Sequence, residues 1–345
     1  MSREFLYEML KEISVSGKEY RLQKKVMDHM ANYVDECVTD HVGDVIAIKN
    51  KESDFRVMLA AHSDEIGLII NRIRPDGRCI LDNIGSITPL VYAGQRVQVL
   101  TSKGIIYGVI DKPRNKSEIN TTDLILDLGV YSKEEAMELV EVGDVLVHDY
   151  DYREINDHIL AARALDDKIG IYVINEATKR AVARGVKIGI YSTTTVGEET
   201  TKNGARFASY AINPTCSISV DVGSDTSVRD NMANSSYTRL GLGPIITVGV
   251  TINQELVEIA KKVAKEKNLQ LQFNTCNSRT YTDLDAIHYN ASGVPSILVS
   301  IPLRYMHSSA ELADMNDVEE AIELIASMLE YFDKHQSELN FNPVK

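Results

Sequence analysis

From residue 67 to residue 157 the chain reads as strand and turn, whereas on both sides of that stretch helix and strand patterns alternate. Short β-branched runs, Gly67-Leu68-Ile69-Ile70 and residues 95–100 and 104–110, are separated by turns built from Gly, Pro, Asp and Asn. A stretch of that kind closes into a small barrel or sandwich and cannot supply the helical layers of an open sheet. The expected fold is therefore an α/β domain made of residues 1–66 and 158–345, interrupted by an inserted β domain at 67–157. Within the insert, Ser132-Lys133-Glu134-Glu135-Ala136-Met137 predicts one short helix capped by Ser132. At 345 residues the chain can hold two cores.

Residues 5–32 predict helix with a break at 14–19. Ser16 and Glu19 have the spacing of a capping box, and Tyr20, Leu22, Val26 and Met27 form a candidate buried face for the helix that follows. Residues 44–49 and 55–59 read as strands joined by a polar turn. Further helices are expected from the Asp166-Asp167 junction to about Arg184, at 255–267 and at 317–334. Residues 231–243, with Asn234-Ser235-Ser236, lack periodicity and read as a surface loop near the site.

Five strand-like runs end in an ionisable side chain. They lead to His62-Ser63-Asp64, Asp166-Asp167, Glu198-Glu199, Asp221 and His307. Ligands of open α/β sheets gather at the carboxyl ends of strands, so these five endings point to one crevice. At Ala164-Leu165-Asp166-Asp167-Lys168-Ile169-Gly170 two readings stand side by side. One aspartate caps the following helix; a second is spare, and a carboxylate held at that junction suits a metal ion.

A strand-terminal His62 can bind a metal through one ring nitrogen while a nearby carboxylate, Asp64, holds the other. Two adjacent carboxylates after Gly197 repel unless positive charge sits beside them. Beside a metal site they divide the labour: one glutamate ligates and the other accepts a proton from water. With Asp221 and His307 the set has the oxygen and nitrogen character of zinc, cobalt or manganese sites. His29, His41, His148, His158, His288 and His335 read as structural residues. A formal charge of −13 disfavours nucleic acid as a partner. The amino-terminal residues do not resemble a secretory signal and no apolar run approaches a membrane span, so a cytoplasmic protein without membrane partners is expected. Cys37, Cys79, Cys216 and Cys276 are too scattered for a zinc ribbon or disulfide framework and read as reduced thiols.

The motifs Ala61-His62-Ser63-Asp64-Glu65-Ile66-Gly67, Ala164 to Gly170, Thr195-Val196-Gly197-Glu198-Glu199, Ser219-Val220-Asp221 and Pro302-Leu303-Arg304-Tyr305-Met306-His307-Ser308 resemble, in order, those of the tetrahedral aminopeptidases. These are dinuclear metallopeptidases that include glutamyl aminopeptidases, and some members carry an endoglucanase label. The resemblance implies a three-layer α/β/α metallopeptidase domain interrupted by a small PDZ-like β-barrel domain that mediates dimers and hollow dodecamers. It implies two divalent ions per subunit, zinc or cobalt with manganese also suited, and short peptides as substrates. Asp166 would bridge the ions, with His62 and Asp221 completing one site and Glu199 and His307 the other. Glu198 would be the general base, Asp64 would hold His62, and Asp167 would shape its turn. Two segments depart from the family pattern: Thr200-Thr201-Lys202-Asn203-Gly204 after the paired glutamates, and Lys112-Pro113-Arg114-Asn115 in the insert. A glycosidase built on paired carboxylates, or a noncatalytic assembly protein on the same fold, are the alternatives.

Overall fold

The computed structural model describes residues 3–111, 118–149, 151–228, 236–342 and 344; Lys112-Pro113-Arg114-Asn115 and Asn234-Ser235 lie outside the described residues. An 11-stranded mixed sheet forms the centre of the α/β part. Its middle consists of four parallel strands in the order Gly189–Thr195, Arg56–His62, Cys216–Ser224 and Ser296–Arg304. Gly189–Thr195 is buried at every position, and Arg56–His62 and Ser296–Arg304 at all but one. That is why they read as continuous apolar or small-residue runs rather than as alternating ones.

Helices cover both faces, giving three layers. On one side the long helices Leu165–Ala183 and Met315–His335 pack with Gln254–Lys267 and the two amino-terminal helices around Leu59, Ile218, Val299, Ile174 and Phe332. On the other, Asn203–Ile212 and Asp283–His288 cover Met58, Ala60 and Tyr191 through Ala205, Ala208 and Ile287. Residues 165–178 of the central helix are all buried, so its polar side chains need partners inside the protein. Truncating Ile174 to alanine would remove fully buried aliphatic volume at a cost of about 2–5 kcal/mol.

The strands between Gly67 and His148 leave this sheet and close a six-stranded barrel in the order Gly67–Ile73, Cys79–Ile84, Ile125–Asp127, Gly104–Ile110, Arg96–Thr101, Val145–His148. Inward residues Leu68, Ile70, Leu81, Val97, Val99, Ile110 and Leu126 fill it. Closure leaves no free edge. The short helix Lys133–Leu139 is capped by Ser132, whose hydroxyl accepts from the Glu135 amide. No helix among the described residues is long and apolar enough to cross a membrane.

Two local expectations need correction. Ser16 and Glu19 form no capping box: the helix Tyr20–Met30 has no side-chain cap, and the Ser16 hydroxyl donates instead to Asp64 at 2.5 Å. Tyr20 is exposed, because the buried stripe of that helix runs through Leu22, Gln23, Val26 and Met30. The strands Val45–Lys49 and Arg56–His62 form as expected, and Gly189–Thr195 lies between them, antiparallel to the first and parallel to the second.

Candidate metal centre

The parallel strands end at one edge of the sheet, which is where their functional side chains meet. Thr195 is in register with His62, so the turn Val196-Gly197-Glu198-Glu199 leaves directly beside that imidazole. Asp221 stands two residues beyond the last paired positions of its strand with the His62 strand. His307 follows the end of Ser296–Arg304 by three residues, and the chain returns at Glu311. The strand Ile159–Ala162 pairs antiparallel with Glu311–Asp314, so it ends at the same edge and delivers Asp166 there.

The two aspartates of the pair face different partners. Asp166 and Asp167 have non-helical backbone angles and are joined by a cis peptide bond. Asp167 is the cap: its Oδ1 accepts from the Gly170 amide at 3.1 Å, and its Oδ2 from the His62 amide at 3.3 Å. Gly170 is required, since a Cβ there would lie 2.3 Å from both carboxylate oxygens. Asp166 is released to the cleft. Its Oδ1 is 3.1 Å from His62 Nε2 and its Oδ2 is 3.2 Å from His307 Nε2, which is itself 3.3 Å from Glu199 Oε1.

Asp64 does more than face the ring of His62. The ring's Nδ1 is 2.9 Å from the Asp64 carbonyl oxygen and 3.5 Å from its carboxylate. That carboxylate accepts from the amides of Glu198 at 2.9 Å and Glu199 at 3.1 Å, besides the Ser16 hydroxyl. One buried side chain therefore ties the glutamate turn to the histidine. Gly197, with φ of +72°, supplies the left-handed residue that the turn requires. The buried Asp44 accepts from the Val196 amide at 2.9 Å and anchors the turn from the other side. Glu198 is ion-paired with Lys202, whose ammonium also donates to the Tyr281 carbonyl at 3.0 Å.

Three sets of donor atoms in this cluster each lie within 4.8 Å of one another: His62 with Asp166 and Asp221, His62 with Glu198 and Glu199, and Asp166 with Glu199 and His307. The electrostatics fit a cation. Burial opposes charge on either imidazole, yet the hydrogen bonds that Asp166 and Asp64 accept raise His62 well above its ordinary value. Those that Asp166 and Glu199 accept lift His307 to about 11. Burial, aided by other carboxylates, likewise raises Asp221. Asp166 stays below the usual carboxylate range despite burial because it lies between His307 and His62. The same crowding of carboxylates that raises these groups would be relieved by a cation held among them. The cluster opens into a cleft of about 510 Å³ whose farther wall includes Val222, Thr247, Asn274, Ser300 and Met306.

Sequence reasoning missed the supports. Glu311 accepts from the Asp166 amide at 3.1 Å and the His307 amide at 2.8 Å, fastening residues from two candidate ligand positions. Burial and the neighbouring Asp166 push its pKa up to about 8, although both oxygens face N–H donors, an arrangement suited to a carboxylate. Glu65, Arg163 and Lys168 form a buried ion cluster beneath the junction, with Lys168 Nζ 3.0 Å from Glu65 and 2.8 Å from the Glu12 carbonyl. Lys168, set directly before the run Ile169-Gly170-Ile171-Tyr172-Val173-Ile174, was the available signal for it.

A mixed sheet with helices on both faces, an inserted barrel and a carboxylate–histidine cluster at the strand ends define an α/β protein with a candidate metal centre. The M42 glutamyl aminopeptidase family model matches residues 43–324, and the chain belongs to that family. The lysyl aminopeptidase of Pyrococcus furiosus is 35% identical over 339 residues, covering 94% of this chain and 96% of its own. The crystal structure of a TET aminopeptidase from Thaumarchaeota archaeon SCGC AB-539-E09 superposes with a TM-score of 0.91 at 30% identity and 97% coverage of both chains. The TET1 peptidase of Pyrococcus horikoshii, which can assemble into a tetrahedron or a large octahedral shell, does so with a TM-score of 0.85 at 28% identity, covering 94% of this chain and 98% of that one. Family membership supports a peptide hydrolase of the aminopeptidase class.

Proposed function

We propose that the chain removes single residues from the free amino end of peptides, with two divalent ions held around Asp166. The observation that supports this most is the sharing of Asp166 between two donor sets, His62 with Asp221 on one side and Glu199 with His307 on the other. The donors are nitrogen and oxygen, which suits zinc, cobalt or manganese. The ions, when bound, supply Lewis-acid activation of water and of the scissile carbonyl.

The remaining work falls to the chain. Glu198 stands beside both donor sets, held by the Asp64 bond to its amide and by Lys202. It accepts the proton of the attacking water and passes it to the departing amine. Lys202 keeps that carboxylate aimed into the cleft, and Asp64 prevents the Glu198-Glu199 turn from drifting relative to His62. A free α-amine meets a cleft rim rich in carboxylates, which sets the one-residue register. We further propose that residues 67–157 are the inserted unit through which subunits associate as dimers and then dodecamers. Its outer strand Gly104–Ile110 turns Ile105, Tyr107 and Val109 to the surface, an apolar face suited to contact with another subunit.

The test compares a free peptide, its N-acetylated twin and a β-glucan, with and without a chelator. Stepwise release of amino acids from the free peptide alone, lost on chelation and restored by zinc, cobalt or manganese, is the expected result. Metal-independent release of reducing sugar without peptide cleavage would falsify it and support a two-carboxylate glycosidase.

A further inference from the structure

Past Glu198 the cleft adjoins a second cavity of about 630 Å³. Its wall carries three cations, Lys202, Arg206 and Arg279, against a single carboxylate, Asp285, in a chain of formal charge −13. Asp285 is already committed. Its Oδ1 accepts from the Thr280 amide and hydroxyl, both at 2.9 Å, and its Oδ2 from the Tyr281 amide at 3.0 Å. Lys202 is committed to Glu198 and the Tyr281 carbonyl. Arg206 and Arg279 are exposed, and among the described residues no carboxylate lies within ion-pair distance of either guanidinium. Arg279 lines both cavities, so the two spaces meet at its side chain.

The proposed hydrolysis gives this arrangement a direction. Glu198 hands its proton to the leaving amine, so the portion of the peptide beyond the cleaved bond lies on the Glu198 side, towards the second cavity that its ion partner Lys202 lines. We infer that the second cavity receives the downstream end of the peptide and that Arg206 and Arg279 bind a carboxylate there. That carboxylate is either the C-terminus of a short peptide or the side chain of a downstream Asp or Glu. The inference rests on the aminopeptidase reading. Guanidinium forks match carboxylates bidentately, which a neutral amide cannot reproduce. Because both arginines are solvated, the gain is modest and screened by salt.

The experiment uses the full-length, metal-loaded protein and tripeptides that share one N-terminal residue: the free acid, its C-terminal amide, and an amide carrying Glu at the second position. An aminoacyl nitroanilide, which has no carboxylate, reports the hydrolysis itself. At low ionic strength kcat/KM for the acid should exceed that for the plain amide by roughly five- to tenfold, mostly through KM, and the ratio should fall towards one in about 0.5 M salt. Recovery by the Glu-bearing amide identifies the acidic side chain as a second source of the carboxylate; no recovery assigns binding to the chain terminus alone. Replacing both arginines, Arg206→Gln with Arg279→Gln, should bring the acid-to-amide ratio near one. Cleavage of the nitroanilide with equal kcat/KM for all three tripeptides overturns the carboxylate site and leaves the aminopeptidase reading standing, as does a double variant that keeps the wild-type ratio. No cleavage of any substrate overturns both.

Discussion

Glu311→Gln tests whether the candidate centre is held from behind. The carboxylate takes one N–H from Asp166 at 3.1 Å and one from His307 at 2.8 Å, each on a different oxygen. Glutamine has the same shape but only one acceptor oxygen. Whichever amide keeps it, the other then faces an NH₂ group, donor against donor, in a fully buried position. An unmet buried donor costs about 1–3 kcal/mol. Asp166 and His307 belong to the same donor set, so displacing either backbone moves a proposed ligand. If that cost falls on metal binding, affinity should drop about 10- to 100-fold, the usual range for a residue that orients a ligand from behind. The measurement is competition for zinc or cobalt against a chelator of known affinity, with circular dichroism to establish that the variant is folded. Affinity within about twofold of wild type in a folded variant would show that the two bonds do not position the ligands.

Other outcomes follow from the same geometry. Glu198→Gln should keep both metals by elemental analysis and lower kcat at least about a hundredfold; loss of a metal would make Glu198 a ligand instead, in line with its place beside His62 and Glu199. His148 is buried in the barrel against the Tyr92 ring, with neither ring nitrogen hydrogen-bonded, and burial lowers its pKa from 6.5 to about 4. Between those values the unfolded chain binds the extra proton, so stability present above pH 6.5 is lost as pH falls, by up to about 1.4 kcal/mol per pH unit from this group. His148→Phe should flatten the slope of denaturant midpoint against pH between about 6.5 and 5; an unchanged slope would mean that the ring is not buried neutral. Tyr107→Asp with Val109→Asp places charge on the exposed apolar strand of the barrel and should reduce particle size in light scattering. A particle of wild-type size would remove that strand from the subunit contact.

What could be read from the sequence was whatever depends on neighbours along the chain. The change of texture at residue 67 registers as a closed barrel because alternation and turn chemistry are local properties, and Ser132 caps its helix through a residue three positions away. His62, Asp166, Glu199, Asp221 and His307 stand out because each ends or follows an apolar run, and parallel strands bring such endings to one sheet edge. The division of labour between Asp166 and Asp167 followed in the sequence only from the family resemblance: by local chemistry both can cap, and the path of the backbone turns one to the Gly170 amide and the other to two imidazoles. Ser16 had a sound local partner in Glu19 but is bonded to Asp64, 48 residues away, because the isolated bridge between Val15 and Glu65 lays those segments side by side. Glu311 reaches Asp166 across 145 residues and carries no local signal of that role. Ligand chemistry is a property of side chains, and the sequence spells it out. The groups that hold the ligands are chosen by proximity in the folded chain, since a buried amide or carboxylate must find a partner wherever the packing places one.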